Sequence, residues 1–114
     1  MKKITLMGAA LLGFLSYPVF AEEHADAALE HTRMAIQYGK AEHNPILVKH
    51  AKEALIHAKM AAEAATGESK THMEAAVKSL ESSLEQGKMK GKDRAKAATK
   101  AAEEAAAHIK AGNQ

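Results

Sequence analysis

The sequence predicts an all-α fold, an up-down-up-down antiparallel four-helix bundle. Alanine forms about a quarter of residues 22–114, β-branched residues are few, and no proline follows Pro45, which favours helix throughout. Turn-forming stretches at 39–45, 66–69 and 87–92 divide the chain into four segments near 23–39, 45–65, 70–86 and 93–111. Connections this short make consecutive helices antiparallel neighbours.

The chain opens with an address. Lys2 and Lys3 precede an apolar run from Ile4 to Phe20, interrupted late by Ser16, Tyr17 and Pro18. Val19-Phe20-Ala21 then has the form of a cleavage site, before the abrupt polarity of Glu22-Glu23-His24. We read residues 1–21 as a cleaved signal peptide and residues 22–114 as the mature bundle. The run is near the lower length limit for a membrane span, and Pro18 beside Ala21 favours removal. No membrane association is expected afterwards, and the destination is a bacterial periplasm.

In helix 1, Ala25, Ala28, Leu29, Ala35 and Ile36 line one face; in helix 2, Leu47, Ala51, Ala54, Leu55, Ala58 and Ala62 do so. Met73, Ala76, Val77, Leu80 and Leu84 serve helix 3, whereas helix 4 offers Ala95, Ala98, Ala102, Ala105 and Ile109. Asn44 before Pro45 and Ser69 are the expected N-caps, and Asp93 opens the last helix. Alanine allows close helix approach but removes little apolar area, so the core is thin and helix 4 contributes least to it.

Charge narrows the function. All 14 acidic residues follow Ala21; loss of Lys2 and Lys3 from the 16 basic residues leaves 14, so the mature chain is neutral with histidines uncharged. A neutral exported protein has little attraction for nucleic acid, despite the lysine-rich stretch 88–100. With no cysteine, disulfides, thiolate metal sites and cysteine nucleophiles are excluded. The sequence offers no glycine-rich phosphate loop, no nucleophile–base pair and no His-Glu-x-x-His motif, so an enzyme is not expected.

Instead there are seven histidines. His24 and His31 lie seven residues apart, as do His43, His50 and His57, and Tyr38 continues the first series. Residues so spaced drift only about 20° around a helix and form one stripe. At 100° per residue, His31, His50, His72 and His108 all fall roughly 80–100° from the apolar centre of their helix, in one rotational sense. Flanks so placed meet at alternate seams, either helices 1/2 with 3/4, or 2/3 with 4/1. Mirror spacing favours the first: His24 and His57, His31 and His50, and Tyr38 and His43 share one midpoint, which falls within the 39–45 turn and within about half a helical turn of its middle. His72 and His108 are equidistant from the middle of the 87–92 turn.

Histidines seven apart are separated by about 10.5 Å along the axis, too far to share an ion at bonds of about 2 Å. Each ion must therefore take donors from a neighbouring helix or from one turn away. Glu53 stands four residues before His57, and Glu104 four before His108, so each carboxylate reaches its imidazole on one helix surface. Met34 and Met60 place thioethers one turn from His31 and His57. Candidate metal ligands are therefore His24, His31, His50, His57, His43, His72, His108, Glu53 and Glu104. Imidazole with carboxylate suits copper(II), nickel(II) and zinc(II), with copper(II) binding most tightly. The protein is expected to be a monomer. The competing reading is a non-catalytic structural or partner-binding periplasmic bundle whose histidines are incidental.

His24-x6-His31, the stretch His50-Ala51-Lys52-Glu53-Ala54-Leu55-Ile56-His57-Ala58-Lys59 and Glu104-x3-His108 resemble the periplasmic small metal-binding protein family. These are short four-helix proteins with histidine-bearing seven-residue repeats. The resemblance spans the mature chain and is strongest over helices 1 and 2. It implies binding of several copper(II) ions, tolerance of other divalent metals, and a role in periplasmic copper buffering, trafficking or tolerance. Where relatives carry further histidines, this chain has Ser79, Gln86 and Ala101, which implies fewer or weaker sites in its second half.

Overall fold

The computed structural model describes residues 2–113, with side chains from Phe20 onward. Four helices follow one another: α1 (Lys2–Lys40), α2 (Asn44–Ala64), α3 (Gly67–Gly87) and α4 (Lys92–Gly112). Each packs on its sequence neighbours, and α1 closes the ring against α4. The result is the expected antiparallel bundle.

Small residues at alternating intervals of three and four form its seam. Ala25, Ala28, Thr32, Ala35 and Gly39 are buried on α1, and Leu47, Ala51, Ala54, Ala58 and Ala61 on α2. Met73, Ala76, Leu80, Ser83 and Gly87 continue the seam on α3; Ala95, Ala98, Ala102, Ala105, Ile109 and Gly112 complete it on α4. This is the heptad spacing of near-parallel helix packing. The few large fully buried side chains include Leu47, Met73, Leu80 and Ile109. Leu29 and Ile36, expected in the core, are only half-buried.

The boundaries differ from expectation where packing overrides local propensity. α1 begins at Lys2 and runs without a break through Pro18 and Ala21, so its expected start near residue 23 is not seen. Gly39 is no break either. It lies inside α1, where an added Cβ would overlap the Thr99 hydroxyl and come within 2.7 Å of Leu47 Cδ1. The chain needs a glycine there for close approach, not for a turn.

The expected caps also shift. His43, Thr66 and Gly91 occupy the N-cap positions, none with a side-chain cap bond. Asn44 is already helical and donates from Nδ2 to the Met89 carbonyl at 3.2 Å, tying the two turns at that end together. Ser69 lies in the first turn of α3 and its hydroxyl donates to the Gly112 carbonyl. Asp93 sits one residue inside α4. The Ser83 hydroxyl reaches across to the Ala98 carbonyl at 2.8 Å, so α4 is anchored by a buried polar contact as well as by Ile109.

Candidate metal centre

Every helical histidine immediately precedes a core residue: His24 precedes Ala25, His31 Thr32, His50 Ala51, His57 Ala58, His72 Met73 and His108 Ile109. That position flanks the seam, and these six imidazoles are accordingly half-buried. Of the two arrangements compatible with the rotational argument, the protein adopts the one that pairs helices within hairpins.

On the α1–α2 seam, Nδ1 of His24 lies 3.2 Å from Nδ1 of His57, and Nδ1 of His31 lies 3.3 Å from Nδ1 of His50. At these distances an Nδ1 that carries a proton can donate to a facing Nδ1 that does not. The separations also fit a shared ion: two bonds of about 2.0 Å meeting near the tetrahedral angle span about 3.3 Å. The donor set of these residues therefore fits a divalent metal of the imidazole-binding class.

The pairs are rungs of a continuous ladder. His24 faces His57 at 5.4 Å between ring centroids; His57 stacks on His31 at 6.0 Å with planes 4° apart. His31 faces His50 at 5.6 Å, His50 stacks on Tyr38 at 5.7 Å, and Tyr38 meets His43 edge-on at 6.4 Å. The diagonals close because helical side chains lean toward their own N-terminus. In an antiparallel pair the leans oppose. His31 therefore tilts toward the rung of His57, and His57 tilts toward the rung of His31.

The same lean carries Glu53 toward His31. Donor atoms of His31, Glu53 and His57 all lie within 4.8 Å of one another, the carboxylate being solvent-exposed. The four-residue spacing on α2 placed Glu53 with His57, as observed, but mirror spacing placed His31 with His50 alone, and so missed that His31 joins this triad. Adding the direction of the Cα–Cβ bond to the mirror rule would have found it.

Burial foremost, then the neighbouring charges of His31 and Lys49, hold the His50 imidazole below its ordinary protonation range, against an opposing pull from Glu53. His50 thus keeps a free lone pair to lower pH than an isolated imidazole.

The α3–α4 seam repeats the architecture with fewer donors. His72 and His108 face each other at 6.2 Å between centroids. By the same mirror spacing, the next rung is Ser79 with Ala101. The third is Gln86 with Arg94, whose Nη1 donates to Gln86 Oε1 at 2.9 Å. Glu104 is exposed, and among the described residues it joins no group of three metal donors. His43 is exposed at the hairpin end, in contact with Tyr38 and outside the triad. Met34 and Met60 are also exposed. Among the described residues, no helix is long and apolar enough to cross a membrane.

No curated protein matches the chain. A family model described as small metal-binding protein matches residues 1–112. The chain belongs to that family.

Proposed function

We propose that this member of the small metal-binding protein family is exported to the periplasm and binds copper(II) there. Nickel(II) and zinc(II) are weaker alternatives, and the role is copper buffering, trafficking or tolerance. The observation that carries the reading is the pair of matched cross-helix imidazole contacts on the α1–α2 seam, at 3.2 and 3.3 Å. A structural bundle has no need to gather four half-buried imidazoles in facing pairs. A copper site gains two preset donors from each pair. The preference for copper rests on the imidazole and carboxylate donors and the order of divalent metal affinities. The location rests on Lys2-Lys3, the apolar run and Val19-Phe20-Ala21.

Calorimetric titration of the apo protein with copper(II), beside a variant with His24, His31, His50 and His57 all replaced by Gln, tests the reading. Saturable heat in the parent, largely lost in the variant, is expected. Equal heats in both would remove the seam from the function. Metal analysis of the protein isolated from its own periplasm tests the metal and the compartment together.

A further inference from the structure

The ladder contains more candidate sites than it has lone pairs to fill. A neutral imidazole carries a proton on one ring nitrogen and a free lone pair on the other, so it serves one ion at a time. His57 is opposite His24 at 3.2 Å and also belongs to the triad with Glu53 and His31. His31 is opposite His50 at 3.3 Å and belongs to the same triad. An ion on the triad consumes the lone pairs of His31 and His57. His24 and His50 are then left as single imidazoles on different rungs.

We propose that the α1–α2 seam holds copper in two mutually exclusive arrangements: one ion at the centre on His31, Glu53 and His57, or two ions on the outer pairs His24/His57 and His31/His50. The one-ion arrangement has three donors, one of them an anion that offsets the metal charge, and the exposed Glu53 carboxylate can swing onto the ion. The two-ion arrangement uses all four imidazoles but gives each ion only two. The first ion therefore takes the centre. A second ion does not bind beside it; the first moves off the triad as the second arrives. Glu53 is the residue that sets the balance. The inference rests on the copper-binding reading and adds to it a response to load: at low copper the seam grips one ion tightly, and in excess it opens to two held by fewer donors.

The test uses the full chain with His43, His72 and His108 replaced by Gln, which confines binding to the seam. Copper(II) is added to one and then two equivalents, followed by native mass spectrometry and electron paramagnetic resonance. The expected one-equivalent spectrum is a single isolated species. By two equivalents it falls by more than half, replaced by a species with copper–copper dipolar broadening, because neighbouring rungs are about 10.5 Å apart along the axis. Glu53→Gln should alter the one-ion spectrum and weaken its affinity at least tenfold while leaving the two-ion spectrum unchanged.

Persistence of the one-ion spectrum at full intensity while a second ion binds would overturn the proposal, as would equal effects of Glu53→Gln on both spectra. Copper uptake by the parent but not by the three-Gln background would place binding away from the seam and overturn it too. Failure of the unmodified chain to bind copper would instead overturn the underlying reading, and this inference with it.

Discussion

Copper should stabilise the folded bundle by an amount set by how far apart the seam donors lie along the chain. His24 and His57 are 33 residues apart in sequence, and His31 and His50 are 19 apart. An unfolded chain must close those loops before two imidazoles can share an ion, at a cost of about 3.1 and 2.6 kcal/mol by the logarithmic loop-closure relation. The folded hairpin holds the same nitrogens at 3.2 and 3.3 Å without that cost. Each cross-helix ion thus prefers the native state by about 3 kcal/mol. Free copper at a hundredfold excess over Kd would supply about 2.7 kcal/mol per site by mass action, close to that ceiling. For a domain of this size, 1 kcal/mol moves the midpoint by about 4–8 °C, so one seam ion should raise Tm by about 10–20 °C. Circular dichroism melts with and without copper(II) measure it. Replacing His24, His31, His50 and His57 together by Gln should remove most of the rise. An unchanged midpoint in the parent chain at saturating copper would refute the claim that the ions bridge helices.

Copper affinity should fall steeply from about pH 7 to 5, because a free imidazole protonates near pH 6.5 and only the neutral form ligates a metal, which competition titrations at stepped pH would show; a flat profile would exclude imidazole donors. In the apo protein, His50 has its folded pKa lowered, so the unfolded chain binds that proton more readily. Its contribution to stability is intact above about pH 6.5 and is lost as pH falls through and below that value; His50→Gln should flatten this part of the apo denaturation profile. Gly39→Ala should destabilise the bundle by about 1–2 kcal/mol, the overlap with Thr99 and Leu47 outweighing the gain in helix propensity. Adding Thr99→Ala should recover part of the loss in urea melts. Exported protein should begin at Glu22, and an intact mass retaining residues 1–21 would refute the proposed processing.

The bundle was legible because its evidence is periodic. Core alanines recur at three and four, and the turns fall where glycine, proline and polar residues cluster, so composition and spacing agree over α2, α3 and α4. The histidine pairs were legible for a related reason: a hairpin maps sequence symmetry about its turn directly onto spatial opposition. What escaped was decided by tertiary packing. Gly39 reads locally as a helix breaker, yet contact with Thr99 and Leu47 keeps it inside α1. Asn44 and Ser69 have the chemistry of N-caps, but Asn44 Nδ2 donates to the Met89 carbonyl and the Ser69 hydroxyl to the Gly112 carbonyl, and each lies inside its helix. Thr32 and Thr99 look like surface residues by type. Buried, each turns its hydroxyl back to the carbonyl four residues earlier, on Ala28 and Ala95, and so occupies the core without an unpaired polar atom.

The lean that creates the triad also explains why the second hairpin lacks one, and how to restore it. Glu104 precedes His108 by four residues, as Glu53 precedes His57. Both acidic side chains lean along their helix toward the adjoining rung. On the α1–α2 seam that rung presents His31; on the α3–α4 seam the corresponding residue is Ser79, which offers no imidazole. Glu104 and His108 are therefore two thirds of a site. The half-buried flank position of Ser79 has the same relation to Leu80 as His31 has to Thr32, so an imidazole there would point along the seam toward His108. Ser79→His should create a second three-donor site and add one copper(II) ion bound with affinity comparable to the first seam ion. Calorimetry would count it in a chain whose α1–α2 histidines are replaced by Gln, where the unmodified α3–α4 seam has only His72 and His108 to offer. Glu104→Gln in that variant should weaken the new site about tenfold or more. Failure of Ser79→His to add an ion, in a protein that still melts cooperatively, would show that opposed side-chain lean does not determine where this architecture gathers metal donors.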